Sequence, residues 1–530
     1  MAVVKTNNKL LRLILCILMG TSFAIFSCQQ IVPYSVKYMM ITCVVSFIVG
    51  SFITNRLYGS MGRYIKENKN VALILLLIVL FFVCASYRQK GISYSGLFEE
   101  TGISLGFPRI VVSALNFFGF GYYIASIPSI WALAALVFEF GKNFVKDIFE
   151  NIEKNEIKIY GLIAIILMVV VLVVYLVQSS WYLQYDNVYS IDSGWCYENI
   201  YPNLSYYDIR HPLLSELTFP IWAVIRCILQ IVAPQNLVTE LTGIFIQWIN
   251  IWMLLLVGIM MRKMTNDIMV FYLYMCSFPT ILYVFSLEKY QLCVFLLVSY
   301  VYSKFRTQSE SRGLLILTAG VMPTNAFIGF IELFEKNSIK EKIKNIAHII
   351  ISGLLVIVCF GRAQLINPIY TYNEILEMHT SFGTGSLSIF QRFIAVINLI
   401  ESSFVALTSS VNDEQYLWQS ITEEITLLAV VLIVFLILGS FIGRKEKFYR
   451  VCIVWLLFAF ILFVGLNWAP HECPLFAVIF SWAIIPLFAK GLDYVVEKMR
   501  INKILIYALI LVVMLSVNIT AIIDIGRFFG

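Results

Sequence analysis

The chain has 530 residues, of which 60% are hydrophobic and 13% charged, with a net charge of +6. A soluble domain carries about 25% charged residues, so this composition, with a mean hydropathy of +0.85, excludes a soluble enzyme and describes a polytopic membrane protein. Lys and Arg cluster between apolar runs, a pattern that reports orientation in a bilayer and implies no nucleic-acid partner.

Lys5, Lys9 and Arg12 precede the first apolar run, as in a signal peptide, but no small-residue cleavage site follows. We therefore expect an uncleaved first helix. Crossing a bilayer core takes about twenty apolar residues. Candidate spans fall at 10–28, 36–54, 71–86, 112–139, 159–178, 238–261, 268–285, 290–304, 345–361, 420–441, 450–467, 474–490 and 503–522. The expected fold is thus an all-α bundle of about 13 transmembrane helices. Its parts are N-terminal spans over 1–158, a central module over 159–361 holding a large loop at 178–237, and a C-terminal part over 362–530 with a second large loop.

The basic connections all take the cytoplasmic side in one topology, N-terminus inside and C-terminus outside. Phe219–Val232 is short and holds Arg226, so it is expected to lie along the outer interface. Gly313–Phe334 is expected to break at Met322-Pro323-Thr324-Asn325, as a hairpin or as one full span. Irregular backbone at membrane depth is tolerated where protein or a cavity covers it. There is no P-loop, GxGxxG or HExxH motif, so cytosolic nucleotide chemistry has no home here. The cysteines show no CxxC and no paired Cys/His spacing, which excludes a zinc motif. Cys196 and Cys473 fall in loops on the same side, which leaves a disulfide between them open.

The outer side carries nearly all the chemistry. From Trp181 to Glu216 the loop interleaves Asp186, Asp192, Glu198, Asp208, Arg210 and His211 with aromatics that include Trp195 and Tyr197. Carboxylates accept hydrogen bonds from hydroxyls, and flat rings pack on the apolar face of a sugar; an interfacial aromatic belt is the plainer alternative. Asp192, in a Ser/Gly turn just after a span, is the first choice for a general base, and Asp186 the second. Arg210 and His211 before Pro212 suit a phosphate, with helix capping by Asp208 as the alternative. Glu288 and Lys289 lie in a short outer loop flanked by Tyr283 and Tyr290, either as part of a site or as a solvated turn. Arg362 follows a span end, where it either snorkels or neutralises a lipid phosphate. His471 and Glu472 follow Trp468 in a further outer loop. Asp186, Asp192 and Glu288 are hard oxygen donors for a divalent metal such as Mg or Mn, whose involvement the residues leave undecided.

An acid just after a span, a downstream His-Pro, an interfacial helix and then alternating spans resemble the GT-C superfamily of integral-membrane glycosyltransferases, in its bacterial branch. The stretch from Asp192-Ser193-Gly194-Trp195 to Asp208-Ile209-Arg210-His211-Pro212-Leu213 carries that resemblance. Thr318-Ala319-Gly320 with Pro323-Thr324-Asn325, and Asn467 with His471-Glu472, add to it. The chain departs from the pattern in placing four spans ahead of the one that leads into the loop, where many members reach it after a single span. The resemblance implies transfer of a sugar from a polyprenyl-phosphate carrier to a glycan, lipid or protein acceptor at the outer face of a bacterial plasma membrane, with inversion. Alternatives of other classes are a flippase or exporter of lipid-linked sugars, a polysaccharide polymerase or ligase, and a purely structural membrane protein.

Overall fold

In the computed structural model, the described residues are 2–29, 36–90, 141–177, 191, 193–202, 210–306, 312–334, 338–359, 363–381, 387–407, 409–411, 416–418 and 425–529. They are helical almost throughout, the exception being one antiparallel pair of strands, Ser409–Val411 with Tyr416–Trp418. Among the described residues five helices are long and apolar enough to cross a membrane, and six spans result if one bent pair counts as a single span. The expected span at 112–139 lies outside the described residues.

The chain divides into two compact units. The smaller contains helices α1 (Ala2–Gln29), α2 (Val36–Glu67), α3 (Lys69–Lys90) and, after residues belonging to the larger unit, a later helix, Leu214–Val232. Helices α1 and α2 approach closely because Gly20 and Gly50 offer no side chain at the crossing, and Ser51 Oγ donates to the Cys16 carbonyl at 2.9 Å. Leu214–Val232 packs against α3 through Phe219, Ala223 and Cys227 while exposing Ile221, Ile228, Ile231 and Val232. Arg226 lies 5.2 Å from the Trp222 ring. This one-sided helix is what the interfacial expectation for Phe219–Val232 requires.

The larger unit holds α4 (Lys154–Val177), α5 (Val238–Thr265), α6 (Ile268–Cys276), α7 (Phe278–Phe285), α8 (Tyr290–Arg306), α9 (Arg312–Val321), α10 (Ile389–Ser402), α11 (Leu427–Gly443), α12 (Lys447–Ala459), α13 (Ala477–Met499) and α14 (Lys503–Phe529). Its ends differ in chemistry. At one end Arg262 pairs with Glu156 at 2.9 Å, Lys490 with Glu446 at 2.7 Å, and Lys503 with both Asp267 and Asp493 at 2.9 Å. Helices α11 and α13 are drawn together by glycines: a Cβ on Gly491 would meet the Phe435 carbonyl, and one on Gly439 the Leu487 carbonyl. Such close backbone approach drives helix association where water supplies no hydrophobic force.

The run 268–285, expected as one span, is bent by 55° between α6 and α7. Ser277 is extended there, and Pro279 follows in the first turn of α7; a proline has no N–H with which to continue the preceding helix, so α6 cannot run through it. Asn518 of α14 closes the break by donating to the carbonyls of Cys276 at 2.9 Å and Phe404 at 2.8 Å and accepting from the Ala406 amide at 2.9 Å. The Phe278 amide also donates to Phe404.

Asn518→Leu keeps the side-chain branching and heavy-atom count and strands the Cys276 carbonyl and the Ala406 N–H. At about 1–3 kcal/mol for each unsatisfied group, thermal unfolding in detergent is expected to show a loss on the order of 3 kcal/mol. Thr520→Leu, on an exposed part of the same helix, is expected to stay within about 0.5 kcal/mol; equal losses would refute the role given to Asn518.

Candidate functional site

At the other end of the larger unit the chain after α4, the loop between α7 and α8, and the loop before α13 come together. Tyr175 OH at the end of α4 donates to the Phe285 carbonyl at 2.9 Å. Tyr283 OH reaches the Leu475 carbonyl at 3.1 Å, and the Tyr290 ring meets Phe476 edge-on at 5.9 Å. The carbonyls left unpaired where α7 ends are taken up by two glutamines. Gln247 Nε2 donates to Tyr283 and Val284, both at 2.7 Å, and Gln291 Nε2 to Tyr283 at 3.0 Å and Ser286 at 2.6 Å. The loop that holds Glu288 and Lys289 is therefore fixed at its root.

Glu288 and Lys289 are 1% and 4% exposed, which overturns the solvated-turn alternative. Glu288 Oε2 accepts from Cys196 Sγ at 3.5 Å and from the Lys289 amide at 3.1 Å. The Lys289 ammonium stands 3.9 Å from the same oxygen, and the rings of Trp195 at 5.6 Å and Tyr290 at 5.3 Å lie beside it. A cation between two ring faces is held by their quadrupoles. The Tyr201 hydroxyl donates to the Glu288 carbonyl at 3.4 Å; burial first, then nearby Cys196 and Glu288, pushes its phenol far above its ordinary value. It stays a neutral donor at any physiological pH.

Trp195 closes a short helix, Ser193–Trp195, that runs into a π-helical turn, Cys196–Ile200. Tyr197 is buried on that turn and donates to the Thr239 carbonyl at 2.8 Å, so it anchors the segment to α5. Before the 467–473 loop lies a second π-helical stretch, Phe460–Gly465. That loop contains two left-handed residues other than glycine, Asn467 at φ 52° and Ala469 at φ 39°. Left-handed backbone at a buried alanine costs of order 1–3 kcal/mol, and such strain clusters at functional sites, as π-helical turns do. His471 and Glu472 sit in the 3-10 turn Pro470–Glu472, and the Glu472 carboxylate acts electrostatically on Tyr290. Cys196 and Cys473 are free thiols, so the disulfide left open by the sequence is not formed. Burial, followed by Glu472, pushes the Cys473 thiol up.

The larger unit thus brings Trp195, Tyr197, Glu288, Lys289, His471 and Glu472 to one end. Arg210 and His211 belong to the smaller unit. His211 is 4% exposed and its carbonyl accepts the Leu214 amide; the helix after Pro212 starts at Leu214, with no side-chain cap, two residues later than Pro212 itself would place it. Asp186, Asp192, Asp208 and Arg362 lie outside the described residues. No group of three or more His, Cys, Asp or Glu that could hold a metal occurs among the described residues. Sequence reasoning took Cys196 as a candidate disulfide partner and Tyr201 as one more loop aromatic, and passed over Gln247 and Asn250. Their signal was legible for the last pair: Gln247 and Asn250 stand three apart in an otherwise apolar span, and Asn250 Nδ2 donates to Gln247 Oε1 at 3.2 Å.

Glu288→Gln removes a charge and leaves the Lys289 ammonium buried without its partner. Breaking a buried pair costs about 3–5 kcal/mol, whereas the double variant Glu288→Gln/Lys289→Met is expected to recover much of that loss. Melting curves of both single variants and the double give the coupling directly, and additive losses would show that the two charges do not support one another. No family model matches this chain, and neither a curated protein nor a solved structure matches it.

Proposed function

We propose that this chain is an integral-membrane glycosyltransferase of GT-C type, moving a sugar from a polyprenyl-phosphate carrier to an acceptor at the outer face of the membrane. The observation that carries the proposal is the buried Glu288–Lys289 pair, walled by Trp195 and Tyr290, at the end of the larger unit away from its Arg262, Lys490 and Lys503 ion pairs. A charged pair among aromatic rings does little for stability and suits a ligand that is part anion and part sugar.

In this mechanism Asp192, next in the chain to Ser193, takes the proton of an acceptor hydroxyl as that oxygen attacks C1 of the sugar. The C1–O bond to phosphate breaks, polyprenyl phosphate leaves with the electron pair, and the anomeric configuration inverts. A phosphate leaving group needs charge stabilisation more than protonation. Lys289 supplies it. Trp195 and Tyr197 line the sugar side, and Asp186 orients a hydroxyl. His471 and Glu472 complete the wall from the third loop. We assign Glu288 to Lys289 and not to Mg or Mn, because its Oε2 already takes the Cys196 thiol and the Lys289 amide.

The bent pair α6–α7 favours a second reading, a flippase of lipid-linked sugars, since discontinuous helices are common in transporters. The two readings part on one experiment. Purified protein is incubated with a panel of polyprenyl-phosphate sugars and acceptors, with Mg²⁺ or with chelator, and released polyprenyl phosphate is measured. Release by the wild type, falling at least 100-fold in Asp192→Asn, is expected for glycosyl transfer with a general base. Transport of a lipid-linked sugar in vesicles that survives Asp192→Asn, with no release, would replace the transferase by the flippase.

A further inference from the structure

Two apolar helical runs of the larger unit are interrupted, and the interruptions are finished differently. At the α6–α7 break Asn518 and the Phe404 carbonyl meet the freed backbone groups, and Ser277 Oγ donates to the Tyr274 carbonyl at 2.7 Å. The second break follows α9, where Pro323 has no N–H to continue the helix and the chain goes on as the 3-10 helix Pro323–Phe334. Here too the local backbone is paired, Met322 N with the Thr318 carbonyl at 3.1 Å and Asn325 N with the Met322 carbonyl at 2.9 Å. The side chains are not. Thr318 Oγ1 and both Nδ2 and Oδ1 of Asn325 are buried without a hydrogen-bond partner, in residues 0% and 1% exposed.

Buried side-chain polar groups in folded proteins are almost always paired, and an exception calls for an explanation. An amide that leaves both its donor and its acceptor unused, seven residues along the chain from an unused hydroxyl, is a complete set for binding a neutral group. The set carries no formal charge, so neither a phosphate nor a metal cation is its natural match. A hydroxyl is, because it donates and accepts at once. Position agrees. Helices α8 and α9 pack side by side with only 307–311 between them, so they run antiparallel. At about 1.5 Å per residue α8 rises roughly 25 Å and α9 roughly 15 Å, which sets the break about 10 Å along α8 from Tyr290. That is part-way along the helix pair, on the Glu288–Lys289 side. The stack of Phe327 on Phe458 at 4.2 Å holds the 3-10 segment in place just beyond Asn325.

We propose that Thr318 and Asn325 are a hydroxyl-binding site within this break and, resting on the glycosyltransferase reading above, that they select the sugar of the lipid-linked donor. Lys289 then answers the phosphate and these two residues the ring.

The test measures binding on the full chain carrying Asp192→Asn, so that turnover does not consume the ligand. Short-chain polyprenyl phosphates with and without a sugar are titrated, and affinity and melting temperature are read together. The parent is expected to bind at least one sugar-linked member more than tenfold tighter than sugar-free polyprenyl phosphate. Thr318→Val and Asn325→Leu are each expected to lose that preference while keeping the affinity for the sugar-free phosphate. Both should melt without ligand at or above the parent's temperature, because each deletes a buried polar group that had no partner. Retention of the preference in both variants would overturn the site and leave the transferase reading standing. So would a melting temperature that falls in both, or a failure of both to fold, since the polar atoms would then serve an internal water and not a ligand. A parent that binds sugar-linked and sugar-free phosphate equally also overturns it. A parent that binds no member of the panel overturns the transferase reading and this site with it.

Discussion

In hydrocarbon there is no water to satisfy a backbone N–H or C=O, so every interruption of a helix must be closed by the protein itself. That constraint organises the larger unit. Several of its buried polar side chains sit where the main chain stops being helical: Gln247 and Gln291 on the carbonyls that end α7, and Asn518 across the break between α6 and α7. Gln247 and Asn518 use both ends of their amides, and Gln291 uses its Nε2 twice. The result is a frame in which irregular backbone is as fully bonded as a helix, and in which loops at one end are held in place from below.

The same economy makes the Glu288–Lys289 pair informative. Neither residue closes a helix end, and burying two charges costs more than an ion pair at 3.9 Å returns unless further contacts contribute. Those contacts are present, a thiol and an amide on the carboxylate and two rings around the ammonium. At the opposite end Lys503 bridges Asp267 and Asp493 in the open, 37% exposed. Charges there join helices at modest cost, whereas Glu288 and Lys289 are held, with left-handed Ala469 and two π-helical stretches nearby in the chain or the fold. Strain and desolvated charge together at one end mark a place shaped for something other than stability.

Much of this was legible in the sequence. Hydropathy placed α4, α5, α8, α12, α13 and α14 to within a few residues at most of their ends, because an apolar run bounded by charge has few other solutions in a bilayer. The stop at Met322-Pro323 was visible as a proline in an apolar run. The break at Ser277 was missed although Pro279 marks it in the same way, since the run on either side is apolar enough to read as continuous. What sequence could not convey was partnership. A Glu-Lys dipeptide between two spans reads equally well as a wet turn, and only the approach of Cys196 and Trp195, some ninety residues earlier, makes it a buried pair. Asn518 is likewise a lone asparagine in an apolar helix until Cys276 and Phe404 are set against it.

The two breaks argue from opposite directions about what moves and what binds. A break whose freed backbone groups are taken up by other residues resists change, because any shift would expose donors and acceptors that hydrocarbon cannot satisfy. The α6–α7 bend is of this kind, which sits better with a fixed scaffold than with a helix that rocks between states. The break after α9 is bonded in its backbone and unspent in its side chains, so it can accept a ligand without giving up a hydrogen bond of its own. Pre-organised polar groups of that sort are expensive to keep in the empty protein, and a chain that tolerates them next to a fully satisfied frame has rigidity where it needs a scaffold and free hydrogen-bonding capacity where it needs a substrate.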